Sequence, residues 1–141
     1  MSAEDAKKTF NNGFNCSQSV FSAFAGRYGV ERADAMRIAA GFGGGFGHMQ
    51  TVCGAVSGAV MAIGCKYFDM NETAESKNLV YEKTFEFMQR FKKIHGSVDC
   101  WDLLGVDLKT EEGVQEAREK NYFQDKCGKY VQDACTIVDS L

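Results

Sequence analysis

Residues 38–65 read IAAGFGGGFGHMQTVCGAVSGAVMAIGC, 28 consecutive residues without a formally charged side chain. A membrane-spanning helix needs about 20 apolar residues in a row, so this stretch decides between a bilayer protein and a water-filled exterior around a buried core. The glycines decide it. Gly41, Gly43, Gly44, Gly45 and Gly47 make GFGGGFG a poor helix interior, which leaves only Val52 to Cys65 as a coherent helix. That remainder is too short to span a bilayer and suits a buried core helix. It is also crowded with small residues, Gly54 and Gly58 lying one turn apart with Ala55 and Ala59 beside them. Each helix-interior glycine costs roughly 0.5–1 kcal/mol against alanine, so the space must serve a closely packed neighbour or a bound group.

Outward from this centre the pattern is helical throughout. Helices are expected at Ala3 to Phe10, Cys16 to Tyr28, Glu31 to Ala40, Val52 to Cys65, Ala74 to His95 and Glu111 to Asn121, with a short turn from Cys100 and a last helix from Cys127 to Leu141. In the last helix Cys127, Tyr130, Val131, Ala134, Cys135, Val138 and Leu141 form one apolar stripe at helical spacing. In the long helix Val80, Thr84, Phe87, Met88, Phe91 and Ile94 trace another, while Glu86 and Arg90 can pair at i+4 on a different face. No strand pattern competes. The expectation is an all-α helical bundle of six to eight helices around the small-residue helix.

With 141 residues, at roughly 100–200 per domain, the chain reads as a single domain, 1–141. An apolar fraction of 45% with 25% charged residues is that of an ordinary globular protein. The chain holds no proline, so Gly, Asn and Asp must make its turns. Sixteen basic against 19 acidic side chains leave a net charge of -3, which supplies no positive field for a nucleic acid partner. The opening MSAEDAKKTFNNGFN places charges where a secretory signal needs an apolar run, so a cytoplasmic location is expected. In a reducing compartment six cysteines are metal ligands, redox thiols or buried apolar residues rather than permanent staples.

Four of the six share a local setting, NCSQ at Cys16, TVCG at Cys53, SVDC at Cys100 and DKCG at Cys127, behind the capping-type residues Asn15, Thr51, Asp99 and Asp125. A thiolate in the first helical turn meets free N–H groups and the positive end of the dipole, worth roughly 0.3–2 kcal/mol, so all four are expected to ionise more easily than a free thiol. Their spacings, 53−16 = 37, 100−53 = 47 and 127−100 = 27, match no zinc knuckle, C-x-x-C redox motif or ferredoxin run. Any shared site must be assembled by folding. A cluster of like charges would hold a cation or exist partly as disulfides; the alternative is core filling, since cysteine is among the most buried residue types. Cys65 and Cys135 lie deeper in their helices and are read as core.

At these residues the chain resembles the redox-active family described by the motif CGAxxG and four dispersed cysteines, written C_GCAxxG_C_C. CGAVSG at Cys53 to Gly58 is the core motif; GFGGGFG and NCSQ precede it, and CWDLLG from Cys100 and CGKYVQDA from Cys127 follow in the family's order. The resemblance implies a small bacterial or archaeal protein with Cys16, Cys53, Cys100 and Cys127 as the family cysteines and a redox role, without supplying a reaction. A related domain occurs in split-Soret cytochromes, but this chain lacks C-x-x-C-H, so c-type haem does not carry over.

Other constellations are weaker. GFGGGFGHMQT lacks the Gly-Lys-Ser/Thr ending of a phosphate loop and reads instead as a turn, or as positive-φ backbone shaping a site beside Cys53. His48 can orient or deprotonate a thiol or supply a metal nitrogen, against the plainer role of a solvated loop residue. His95 belongs with Arg90, Lys92 and Lys93 to a basic helix end, and Trp101 is expected to anchor the core. The leading expectation is thus a redox protein with Cys16, Cys53, Cys100 and Cys127 as activated thiols or as ligands to a metal ion or iron–sulfur cluster, Gly54, Gly58 and His48 bordering the cofactor, and a redox partner the sequence does not identify. The competing expectation is a scaffold protein with structural cysteines, its small-residue helix serving packing or a homodimer.

Overall fold

The computed structural model describes residues 2–141 as an all-α bundle. Among the described residues eight α-helices of five or more residues follow one another: α1 (Ser2–Asn11), α2 (Cys16–Ala25), α3 (Arg32–Ala39), α4 (Gly54–Tyr67), α5 (Thr73–His95), α6 (Cys100–Leu104), α7 (Glu111–Glu119) and α8 (Gly128–Asp139). Among the described residues there is no strand, only an isolated antiparallel bridge between Val52 and Asp99, and no helix is long and apolar enough to cross a membrane.

The small-residue helix α4 sits at the centre, packed most closely against α2, with α5 and α8 on its other sides. Its glycines serve that contact. A Cβ on Gly58 would lie 2.7 Å from the carbonyl oxygen of Ser17 and 3.0 Å from Val20 Cβ, so only a bare α-carbon lets the two helices approach this closely. The main core gathers Val20, Phe21 and Phe24 of α2, Val56 and Ile63 of α4, Phe87 and Phe91 of α5, and Val131, Cys135 and Val138 of α8. A second, smaller cluster joins Cys100, Leu104, Val106, Leu108, Ala117 and Cys127. Cys135 is fully buried and Cys65 half-buried against the main core, as expected of packing residues.

Three details depart from the sequence reading. Helix α4 starts at Gly54 rather than Val52, because Val52 is held in its bridge to Asp99 and Cys53 is the N-cap residue. The stripe of α5 ends at Phe91: Ile94 is 58% exposed, and His95 turns inward instead, with Nε2 2.9 Å from Asp133 Oδ2. Trp101 is no core anchor; it is 49% exposed, with the Lys109 ammonium 5.3 Å from its ring centre. The expected Glu86–Arg90 pair does form, at 3.4 Å.

Candidate functional site

The NCSQ segment builds the first side of the site. Asn15 caps α2 reciprocally with Gln18: each side chain accepts from the other's backbone N–H at 3.0 Å. The same residues reach across to α3, where carbonyls at a helix end lack partners. Ser17 Oγ donates to Ala39 O at 2.7 Å, Asn15 Nδ2 to Ala40 O at 2.9 Å and Gln18 Nε2 to Met36 O at 3.0 Å. Cys16 is thereby fixed in the first turn of α2, whose start is tied to the end of α3.

GFGGGFG builds the second side. Gly44, Gly45, Phe46, Gly47 and His48 all have φ between 61° and 72°, one left-handed turn closed by Gly47 N–H to Gly43 O at 3.0 Å. Such backbone costs roughly 1–2 kcal/mol per residue bearing a Cβ, which is why glycine supplies most of it. The turn also brings chain segments together. A Cβ on Gly45 would lie 2.7 Å from Gln50 Cα and Thr51 N and 2.8 Å from Cys100 Cβ.

Residues 50–53 then run antiparallel to 98–101. Cys53 N–H donates to Val98 O at 2.8 Å, Cys100 N–H to Thr51 O at 2.7 Å and Trp101 N–H to Gln50 O at 3.2 Å. This short pairing carries Cys53 and Cys100 on one rigid unit. Gln50, buried and with φ 58°, locks it to the next loop: its Nε2 donates to Val106 O and its Oε1 accepts from Leu108 N–H, both at 2.8 Å.

Cys127 enters from a π-helical turn, Phe123–Cys127, that leads directly into α8. The expected helix start behind Asp125 is therefore not there; Cys127 lies within a continuous helix, without a first-turn position. Single π turns inside helices recur at functional sites, and here the extra residue per turn shifts which side chain faces inward. Nothing in the spacing DKCG announces it.

All four cysteines line one pocket of about 250 Å³, Cys53, Cys100 and Cys127 being 5%, 7% and 8% exposed and Cys16 half-buried. Phe10, Phe14, Leu104, Leu108, Phe123 and Tyr130 form much of the wall, with Gly54 at its floor and His48 exposed at its edge. Gly58 does not line it; its place is the α2–α4 contact. The sequence reading missed the wall residues and Gln50. Tyr130 carried a signal, three residues after Cys127 on the same helical face, whereas Gln50 carried none.

A side-chain interaction between Cys16 and Cys127 shifts their acidities in opposite directions. The Cys16 thiol donating to a Cys127 thiolate holds Cys127 below the ordinary thiol range, with the neighbouring Lys126 charge adding to the effect. The shared bond, burial and the nearby sulfurs raise Cys16 well above that range. Burial pushes Cys53 up to about 12, although the backbone N–H groups of Ala55 and Val56 at the start of α4 favour its thiolate. Burial, then the charge of Cys127, pushes Cys100 up to about 11 against opposing effects of Gln50 and Lys109. Of the four thiols only Cys127 is lowered, and by a thiol and a lysine rather than by the helix terminus expected there. At Cys53 desolvation outweighs the dipole.

Among the described residues no group of three or more His, Cys, Asp or Glu side chains is arranged to hold a metal ion. The four cysteines share a pocket without forming a ready-made ligand cage.

The fold and site define a class: an all-helical protein that draws four cysteines from distant segments into one apolar pocket. The family model described as "Putative redox-active protein (C_GCAxxG_C_C)" matches residues 14–141, and the chain belongs to that family. No curated protein and no solved structure matches the chain.

Proposed function

We propose that Cys16 and Cys127 work as a dithiol/disulfide pair, with Cys127 as the attacking thiolate and Cys16 as the resolving thiol. The observation that carries this is the convergence of the two cysteines in one pocket, with opposite shifts in acidity beside it. A nucleophilic sulfur must be ionised, and its partner must keep a proton until the second step. Cys53 and Cys100 remain protonated at neutral pH and line the pocket beside the pair.

The family's description supports a redox role at this coarser level. The test is a count of free thiols in the native protein under reductant and again after one equivalent of diamide, followed by peptide mapping. Loss of two thiols with a Cys16–Cys127 cross-link is expected. All six thiols still free after diamide, or a cross-link between other cysteines, would overturn the assignment.

A further inference from the structure

Resting on the dithiol reading, we infer that the partner of this site is a neutral, flat ring compound of the quinone class, bound inside the cysteine pocket.

Access comes first. Cys53, Cys100 and Cys127 expose less than a tenth of their surface, and the pocket mouth is bordered by the Phe14 ring. The disulfide of a folded protein cannot reach sulfur so placed without the pocket coming apart, whereas a small molecule can enter. The volume is suitable. A cavity of about 150 Å³ lined by aliphatic and aromatic side chains holds benzene, so 250 Å³ leaves room for a ring carrying substituents.

Wall chemistry narrows the class. Phe10, Phe14, Leu104, Leu108 and Phe123 present apolar and aromatic faces, and no lysine, arginine or carboxylate lines the pocket. A phosphate, a carboxylate or a charged peptide thiol would lose hydration there without an ion partner. Asn15 has its amide engaged in capping and in its bond to Ala40. The exposed His48 ring at the edge can donate to a ring carbonyl oxygen.

The electron balance fits the same class. Oxidising the Cys127 thiolate with the Cys16 thiol breaks one S–H bond, forms one S–S bond and yields two electrons and one proton. A quinone takes up both electrons, that proton and a second proton from water, forming two O–H bonds and leaving as the quinol. The negative charge of the Cys127 thiolate is lost in the step and disulfide and quinol are both neutral, which suits a pocket where charge is costly.

Duroquinone is the probe, because its fully substituted ring resists thiol addition. Reduced protein without oxygen is mixed with one equivalent, quinol is followed by absorbance, and cross-links are mapped in parallel with a diamide arm. Expected are one quinol per Cys16–Cys127 disulfide and about a tenfold slower reaction in Phe14→Lys, which places a charge at the mouth. A disulfide with diamide but none with duroquinone overturns the quinone assignment and leaves the dithiol reading standing; no disulfide in either arm overturns both. An unchanged duroquinone rate in Phe14→Lys, with circular dichroism verifying its fold, also overturns it, since the reaction then occurs outside the pocket. Where Phe14→Lys does not fold, protection of wild-type Cys127 from iodoacetamide by the quinol decides: protection supports the site and its absence overturns it.

Discussion

Gly45 presses a bare α-carbon against Cys100: a Cβ there would stand 2.8 Å from Cys100 Cβ, and the glycine's φ of 66° is itself left-handed. One position therefore meets a conformational and a steric demand together. Gly45→Ala should destabilise the fold by about 2 kcal/mol or more, from the left-handed penalty plus forced displacement, and should increase alkylation of Cys100. A urea midpoint with mass-spectrometric thiol mapping checks both.

Two glycines of α4 should respond with opposite sign. Gly58→Ala would push a methyl into the backbone of α2 and should cost about 1–3 kcal/mol by overpacking. Gly64→Ala meets nothing within 4 Å and should stabilise by about 0.5–1 kcal/mol through helix propensity. Thermal melts of the pair give the comparison, and equal shifts would contradict the packing account.

Removing the Cys16 thiol tests the acidity of Cys127. In Cys16→Ala the donor that stabilises the Cys127 thiolate is gone. A hydrogen bond to a charged group contributes about 1.5–3 kcal/mol, so the rate of Cys127 alkylation at neutral pH should fall at least about tenfold. Lys126→Met should act in the same direction, more weakly, because its charge is the lesser contribution.

Stability should fall in alkali. Cys53 and Cys135 at about 12, Cys100 at about 11 and Tyr130 at about 12 hold their protons longer folded than unfolded, burial being the first cause in each. The unfolded chain therefore ionises first as pH rises, so stability is full below about pH 8.5, the free-thiol range. It is then lost progressively toward pH 11 to 12. Cys127, held low, opposes this with a smaller gain. Urea midpoints at pH 7, 9 and 10.5 should descend, and Cys135→Ala should flatten the descent.

Gln50→Leu should cost about 2–4 kcal/mol, since it strands the buried Val106 carbonyl and Leu108 N–H. It should also loosen the Leu104 to Leu108 wall, read as faster amide exchange at Leu108. An unchanged exchange rate would show that the loop holds itself.

The sequence alone determined the helices, because an apolar stripe such as Tyr130, Val131, Ala134 and Val138 is a local periodicity that only one face of a helix can bury. It likewise exposed the capping at Cys16, where donor and acceptor lie three residues apart, and the tight contact foreseen in Gly54 and Gly58, both of which meet α2 closely. Which cysteine is acidic was decided by tertiary structure. Local cues put helix termini behind four thiols, but desolvation and the meeting of Cys16 with Cys127 arise from segments distant in the chain. The π turn before Cys127, the inward His95 and the outward Trp101 belong with these, since each depends on what packs against the residue rather than on its neighbours in sequence.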